Sequence, residues 1–300
     1  MIVQPQGTQP QAAAGRDDIE IRRVRTADEY KACVAVQLET WGPDFTERVP
    51  ATILRVAQYI GGVTAGAFAP DGSLLGFVFG MTGVRDGRFV HWSDLLAVRP
   101  TARDRGLGRR LKLHQRELVR EVGVDTMYWT FDPLVARNAH LNLTRLGARV
   151  AEYAQDMYGD QLGRSLNPGL GTDRFIVRWD LARPPLPYQK AAVHGGRREA
   201  HRRAEGGSEE RGAPVVEALP RISLDPTEQE LVDAPTVQVE IPNDIDAVFA
   251  RDAHVARRWR DVTRRAFLWY LERGYAVHGF ECDETSGRTY YELTRASPDR

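Results

Sequence analysis

The sequence predicts an α/β chain of the α+β kind, with a mixed, mostly antiparallel central sheet followed by a smaller C-terminal α/β segment. Three observations predict it. Strand-like runs and helical periodicity alternate from Ile19 to Leu181. Asp71-Gly72, set between two apolar runs, supplies the positive φ values of a tight antiparallel hairpin. The apolar run Leu95–Val98 ends at Pro100 and passes through Gly106 and Gly108 into an amphipathic pattern, which makes strand, loop and helix within a few residues.

The elements follow in order. Residues 1–17, rich in Gln, Pro, Ala and Gly, offer little to bury and are expected to be disordered. Ile19, Ile21 and Val24 suggest a first strand. Thr26 and Glu29 form a capping box, and Tyr30, Cys33, Val34, Leu38 and Trp41 continue at helical spacing to Gly42. A short helix after Pro50 puts Ile53, Val56, Ala57 and Ile60 on one face and stops at Gly61-Gly62. Val63–Ala69 and Leu74–Met81 flank the hairpin turn, and a further strand runs from Phe89 to Val98. The helix after Gly106 places Leu107, Leu111, Leu118 and Val122 on one stripe, with its basic residues on the others. Val124–Phe131 reads as a strand, Ala136–Leu146 as a helix ending at Gly147, Arg149–Tyr153 as a strand, and Phe175–Leu181 as an alternating last strand.

Residues 18–182 thus form a first domain. Pro184, Pro185 and Pro187 and the mixed-charge tract Gly195–Gly212 mark 183–234 as a flexible linker. A C-terminal segment, 235–295, has Val237, Val239 and Ile241 in a strand. A helix from about Asp252 carries Val255, Trp259, Val262, Ala266 and Trp269 or Tyr270, and two strands follow Gly274; 296–300 is a tail. The helix–Gly–strand order around Gly274 echoes that around Gly147, as a degenerate half-repeat would.

Composition excludes several classes. The 41 basic and 41 acidic residues cancel, so no bulk field draws the chain to nucleic acid or to an anionic membrane. Cys33 and Cys282 stand alone, without Cys-x-x-Cys or Cys/His spacing, which indicates neither a disulfide framework nor a metal site and fits a reducing cytoplasm. Met1–Gly15 has neither an apolar core nor a basic flank and no apolar run is long enough to span a bilayer, so a soluble protein without an export signal is expected.

The chemistry concentrates between Leu95 and Lys112. Glycines let main chain approach an anion closely, and the first N–H groups of a helix with its dipole supply a positive end. Arg99, Arg103, Arg105, Arg109, Arg110, Lys112 and Arg116 crowd this stretch against one acid, Asp104, as a polyphosphate ligand would want. A Walker loop needs Lys and then Ser or Thr after the last glycine, where Arg109-Arg110 stand. A dinucleotide fold needs the glycine turn in its first βα unit, not a hundred residues in.

Leu96-Ala97-Val98, Pro100, Arg103, Gly106 and Gly108 match each element of a third pattern, in which an Arg or Gln, x, x, Gly, x, Gly or Ala loop follows a Leu-Ala-Val strand. In these residues the chain resembles the GNAT acyl-CoA N-acyltransferases, whose element order it also follows over about residues 19–182. The resemblance implies acyl-CoA, acetyl or succinyl, as co-substrate. It assigns Arg103, Asp104, Arg105, Gly106, Leu107, Gly108 and Arg109 to the pyrophosphate and the main chain of Leu96 and Val98 to the pantetheine arm. It also implies direct attack of a small-molecule amine on the thioester, with no metal. Asp94, Glu39 and Asp132 are candidate bases. The family's acid is a tyrosine in a Tyr-x-x-Leu-Gly turn; here that slot holds Leu143, so Tyr153 and Tyr158 are the nearest substitutes. Asn138 and Asn142, one turn apart, could face cofactor or substrate, and His91 reads more naturally as a satisfied strand residue.

Trp129–Leu134, Asn138–Leu143, Tyr158-Gly159, Thr172–Phe175 and Val239–Asp244 are similar to a long GNAT subgroup that includes amino-acid N-succinyltransferases. Arg137, Arg145, Arg149 and Arg174 are then available for a carboxylate. An acetyltransferase for another primary amine and a non-catalytic acyl-CoA sensor are the alternatives, and a homodimer stays open. A catalyst releases free CoA when an amine is present; a sensor binds without turnover.

Overall fold

A computed structural model describes residues 18–43, 45–159, 169–184, 219–224, 231–283 and 287–295. Residues 1–17, expected to be disordered, most of the expected linker 183–234 and the tail 296–300 lie outside these. The chain divides into two compact units, Met1–Tyr128 and Trp129–Arg300.

The first unit runs β1 (Glu20–Arg23), α1 (Ala27–Trp41), α2 (Ala51–Tyr59), β2 (Val63–Phe68), β3 (Leu74–Arg85), β4 (Arg88–Val98), α3 (Leu107–Glu121) and the start of β5 (Thr126–Phe131). Its strand order is β1-β2-β3-β4-β5, antiparallel through β4, with β5 parallel to β4. The capping box forms as the sequence requires: the Thr26 hydroxyl accepts from the Glu29 N–H at 3.2 Å, and Glu29 accepts from the Thr26 N–H at 3.3 Å. The Arg22 guanidinium against that carboxylate pulls its pKa down to about 2.

Three features of this unit differ from the sequence reading. The β3–β4 hairpin is four residues longer at β3 than expected, because Asp86 (φ 52°) and Gly87 (φ 72°) make a turn with two left-handed residues. Helix α2 buries Leu54 and Ala57, while Ile53, Val56 and Ile60 stay exposed. Gln58 fixes this rotation, since its side chain donates to the Val24 carbonyl (3.0 Å) and to the Tyr30 hydroxyl (2.9 Å). Finally, α3 buries Lys112 and Arg116 with Leu107, Leu111 and Leu118, whereas Val122 at its C-cap is exposed.

Lys112 belongs to a chain of polar groups in the core. The Thr82 hydroxyl donates to the Gly61 carbonyl (2.8 Å), so His91 donates from Nδ1 to Thr82 (3.1 Å) and accepts at Nε2 from Gln115 (3.1 Å). Ser93 donates to Gln115 Oε1 at 2.8 Å, and Lys112 Nζ donates to Ser93 at 2.8 Å. His91 is therefore the satisfied strand residue the sequence suggested. A Cβ at Gly80 would lie 2.3 Å from His91 Nε2, so only glycine admits the ring.

The second unit holds the rest of β5, α4 (Ala136–Ala139) continued by a π-turn at His140–Arg145, β6 (Arg149–Ala154) and β7 (Arg174–Asp180), in strand order β5-β7-β6. β8 (Arg221–Ile222), β9 (Thr236–Ile241), α5 (Ile245–Arg251), α6 (Ala253–Glu272), β10 (Tyr275–Asp283) and β11 (Arg288–Arg295) follow. They add a four-stranded sheet ordered β10-β11-β9-β8. β8 falls inside the stretch read as linker, where it pairs parallel to β9. Gly147 (φ 73°) and Gly274 (φ 79°) each lead from a helix end into an antiparallel pair, but the helices before them are a four-residue helix with a π-turn and a 20-residue helix. The echo covers the turn and the antiparallel pair after it, not the helix before it.

Phe131, Phe175, Phe267 and Tyr291 interlock edge to face, joining β5 and β7 to α6 and β11; the Phe175–Phe267 centroids are 4.8 Å apart. The buried face of α6 is Ala256, Arg260, Thr263, Ala266, Phe267 and Tyr270, rotated from the apolar stripe expected. Among the described residues no helix is long and apolar enough to cross a membrane.

Burial, with the Lys112 charge adding, holds His91 down to about 3. The unfolded chain then binds a proton that the folded chain does not between about pH 3 and 6.5, so stability rises with pH across this window. Urea unfolding at successive pH values should show a slope approaching about 1.4 kcal/mol per pH unit from this group, reduced in His91→Gln; an unchanged slope in the variant would remove His91 as its source.

Candidate functional site

β4 carries the first part of the site. Leu95 pairs with Phe79 and Ser93 with Gly80, so Asp94 is the extra residue of a β-bulge. On its other side β4 pairs with β5 over two positions only, His91 with Met127 and Trp92 with Tyr128. From Ser93 to Val98 that edge has no strand partner among the described residues. Asp94 is exposed at the bulge. Surrounding protein raises its carboxyl above the ordinary value and Glu47 adds to this, against a hydrogen bond from Trp92.

The strand runs through Val98 and a 3-10 turn at Pro100–Ala102 into the glycine loop. Asp104 (φ 61°) and Gly106 (φ 74°) are both left-handed, and Gly106 is the N-cap of α3. Gly106 has no side chain to cap that helix, and its first turn presents the N–H groups that lack an intrahelical acceptor. The structure also sorts the arginines. Arg103 Nε donates to the Val98 carbonyl at 3.1 Å, tying the loop back to the strand. Arg99 pairs with Glu39 at 2.9 Å, which makes Glu39 an anchor for that guanidinium. Arg110 reaches the Ile19 carbonyl at 2.9 Å, and Lys112 and Arg116 are buried. Arg105, Gly108 and Arg109 remain at the loop and the first turn of α3, which Leu107 pins with a buried side chain.

The remaining candidates lie in the second unit. Asp132, just after β5, accepts from the Leu134 N–H (2.9 Å), from Arg260 Nη2 (2.6 Å) and from Arg174 Nη1 (3.5 Å). Tyr158 and Thr130 share a hydrogen bond of 3.0 Å, and the Arg174 guanidinium lies over the Tyr158 ring at 5.4 Å. Tyr153 donates to Asp173, and burial followed by this bond raises its pKa. Asn142 is buried and accepts from Trp129 Nε1 at 3.1 Å, a core contact; Asn138 is half-buried. Leu143 lies in the π-turn, where the Leu146 N–H bonds to the Leu141 carbonyl.

Sequence reasoning missed Arg260 and Arg264. Arg264 holds Asp173 (2.6 Å) and Asp156 (2.8 Å), and Arg260 is 2 % exposed. Their i, i+4 spacing on α6 was the available signal, but hydropathy assigns arginine to the outer face. Among the described residues no group of three His, Cys, Asp or Glu side chains could hold a metal ion.

No protein-family model matches the chain, and no curated protein matches it. Among solved structures it is similar to yncA of Salmonella typhimurium, described as an acetyltransferase with its cofactor acetyl-CoA. The identity is 16 %, over 60 % of this chain and 99 % of that one, with a TM-score of 0.44. It is similar to the ribosomal-protein-S18-alanine N-acetyltransferase of Escherichia coli (16 %, 59 % and 99 %, 0.42). It is also similar to a GNAT-family acetyltransferase of Streptococcus pneumoniae (17 %, 54 % and 99 %, 0.44).

Removing the Asp132 charge strands a buried guanidinium. Asp132→Asn should lower the unfolding free energy by about 3 kcal/mol, read by urea denaturation, and Asp132→Asn with Arg260→Leu should recover much of it. A single variant as stable as the parent would show that the pair contributes nothing.

Proposed function

We propose that the chain is an acyl-CoA N-acyltransferase that moves an acetyl or succinyl group to the amine of an amino acid or other small molecule. One observation carries this reading: a bulged strand with an unpartnered edge runs directly into a left-handed glycine and an uncapped helix N-terminus. A long thin ligand with a pyrophosphate at one end fits such a sequence of groups, with main chain beside the arm and N–H donors at the anion. The cradle residues fit CoA on this ground: the N–H groups after Gly106 for the pyrophosphate, and the main chain of Leu96 and Val98 for the arm.

Bound acyl-CoA supplies the thioester carbonyl and a thiol leaving group acidic enough to depart near neutral pH. The chain has to take the ammonium proton from the amine, and Asp94 is the base that the bulge sets up, since its raised pKa brings it nearer the working range. A C–N bond forms and the C–S bond breaks; the ammonium proton passes to Asp94, and the second N–H proton, released as the amide forms, ends on the departing thiolate. Glu39, committed to Arg99, is a positioning residue in this scheme. Leu143 in the tyrosine slot favours a second reading, an acyl-CoA sensor without turnover.

Thiol release from acetyl-CoA and succinyl-CoA against amino acids and simple amines separates these readings: turnover supports the enzyme, and tight binding without turnover supports the sensor. Gly106→Val forces a β-branched residue to a positive φ and puts its side chain in the cradle. CoA affinity by calorimetry should fall about 100-fold or more with the fold retained by circular dichroism; unchanged affinity would end the phosphate assignment. Asp94→Asn should lower kcat by about 10²-fold or more and abolish the acid limb of the pH–rate profile. A retained limb would assign the base elsewhere.

A further inference from the structure

A groove of about 620 Å³ opens at the β1 edge of the first unit, lined by the end of β1, α1, α2 and the middle of α3. It is separate from the glycine loop: β2 and β3 lie between β1 and β4 in the sheet, and His114 is seven residues along α3 from Leu107, about 10 Å of helix rise.

None of its lining side chains is acidic, although the chain as a whole is neutral. Arg22, Arg23, Arg25, Arg55 and His114 face it, with Tyr59 at the rim, 90 % exposed. Arg22 is satisfied by Glu29 at 2.7 Å, and Glu29 is itself filled by that guanidinium and by the N–H groups of Arg25 and Thr26. Among the described residues Arg23, Arg25 and Arg55 form no ion pair or side-chain hydrogen bond. Three guanidinium groups thus line one groove with no ion pair of their own, and the acids nearest it, Glu29, Glu117 and Glu121, lie outside its lining.

A second observation points the same way. His114 Nε2 is buried and has no hydrogen-bond partner among the described residues. The His114 ring lies in the field of Arg23, which acts on it more strongly than Glu121 or Glu117 do, so the groove is positive on its α3 side as well. Guanidinium forks match the oxygens of a phosphate group, and three separated guanidiniums match more than one phosphate.

We propose that this groove is a second anion site of the protein, built for a small ligand carrying linked phosphate groups and distinct from the glycine loop. It does not depend on the acyltransferase reading.

Calorimetric titration of the full chain with inorganic tripolyphosphate tests it, using parent, Gly106→Val, Arg25→Glu/Arg55→Glu and Arg88→Glu proteins. Arg88, beside the β3–β4 turn, controls for net charge, and Gly106→Val controls for the loop. The double reversal should weaken binding about 100-fold, at roughly tenfold per guanidinium, while Gly106→Val retains the groove affinity and Arg88→Glu changes it less than about threefold. No binding to the parent overturns the proposal. So does binding lost in Gly106→Val but kept in the double variant, or an equal loss in Arg88→Glu, which would mean diffuse attraction. If the charge reversals unfold the protein, Arg25→Gln/Arg55→Gln with His114→Ala replaces them under the same criteria. CoA titration of the same proteins reads the acyltransferase proposal separately: loss of CoA binding in Gly106→Val alone bears on the loop, not on the groove.

Discussion

Every N–H and C=O of a buried strand has to find a partner, and among the described residues β4 is paired along its length only towards β3. Towards β3 the ladder is continuous except at Asp94, where the bulge lets one residue drop out of register. Towards β5 it stops after Trp92. The strand is held in place by its first neighbour and by the polar core beneath it, where Ser93 and His91 are tied through Gln115 to Lys112 on α3. An open strand edge is ordinarily a liability for aggregation. Here it leads into a loop whose Arg103 bonds back to the Val98 carbonyl, so that edge and cradle are mechanically one piece.

The polar core also explains why α3 carries charges inward. Lys112 is fully buried, which pushes its pKa well down, and its amine donates to Ser93, Gln115 and Met127. The cost of that arrangement is specific geometry, since each group in it has a partner of the right kind. The consequence is that α3 is locked in rotation and presents its N-terminal N–H groups in a fixed direction.

In the second unit a different device does the holding. The aromatic set of Phe131, Phe175, Phe267 and Tyr291 provides area, while Arg260 and Arg264 provide register by reaching Asp132, Asp173 and Asp156. Tyr291 adds a hydrogen bond to the Pro133 carbonyl at 2.8 Å. The C-terminal segment therefore packs on β5, β6 and β7 through groups that would be costly to bury singly and are stable only as a set.

The sequence by itself determined the element order, the capping box at Thr26 and Glu29, the hairpin at Asp71-Gly72 and the glycine loop, because caps, turns and left-handed glycines are local: the residues that satisfy them lie within a few positions. The Asp86-Gly87 turn had the same local signal and was legible on the same grounds. Which of the candidate residues stay available was decided only by tertiary structure. Glu39 is claimed by Arg99, Asp132 by an arginine 128 residues away, and Asn142 by Trp129, whereas Asp94 is left open by a bulge that depends on strand register. Hydropathy could not place Arg260 or Lys112 inside, since a charge is buried only where distant partners meet it, and those partners come together only when the chain has folded.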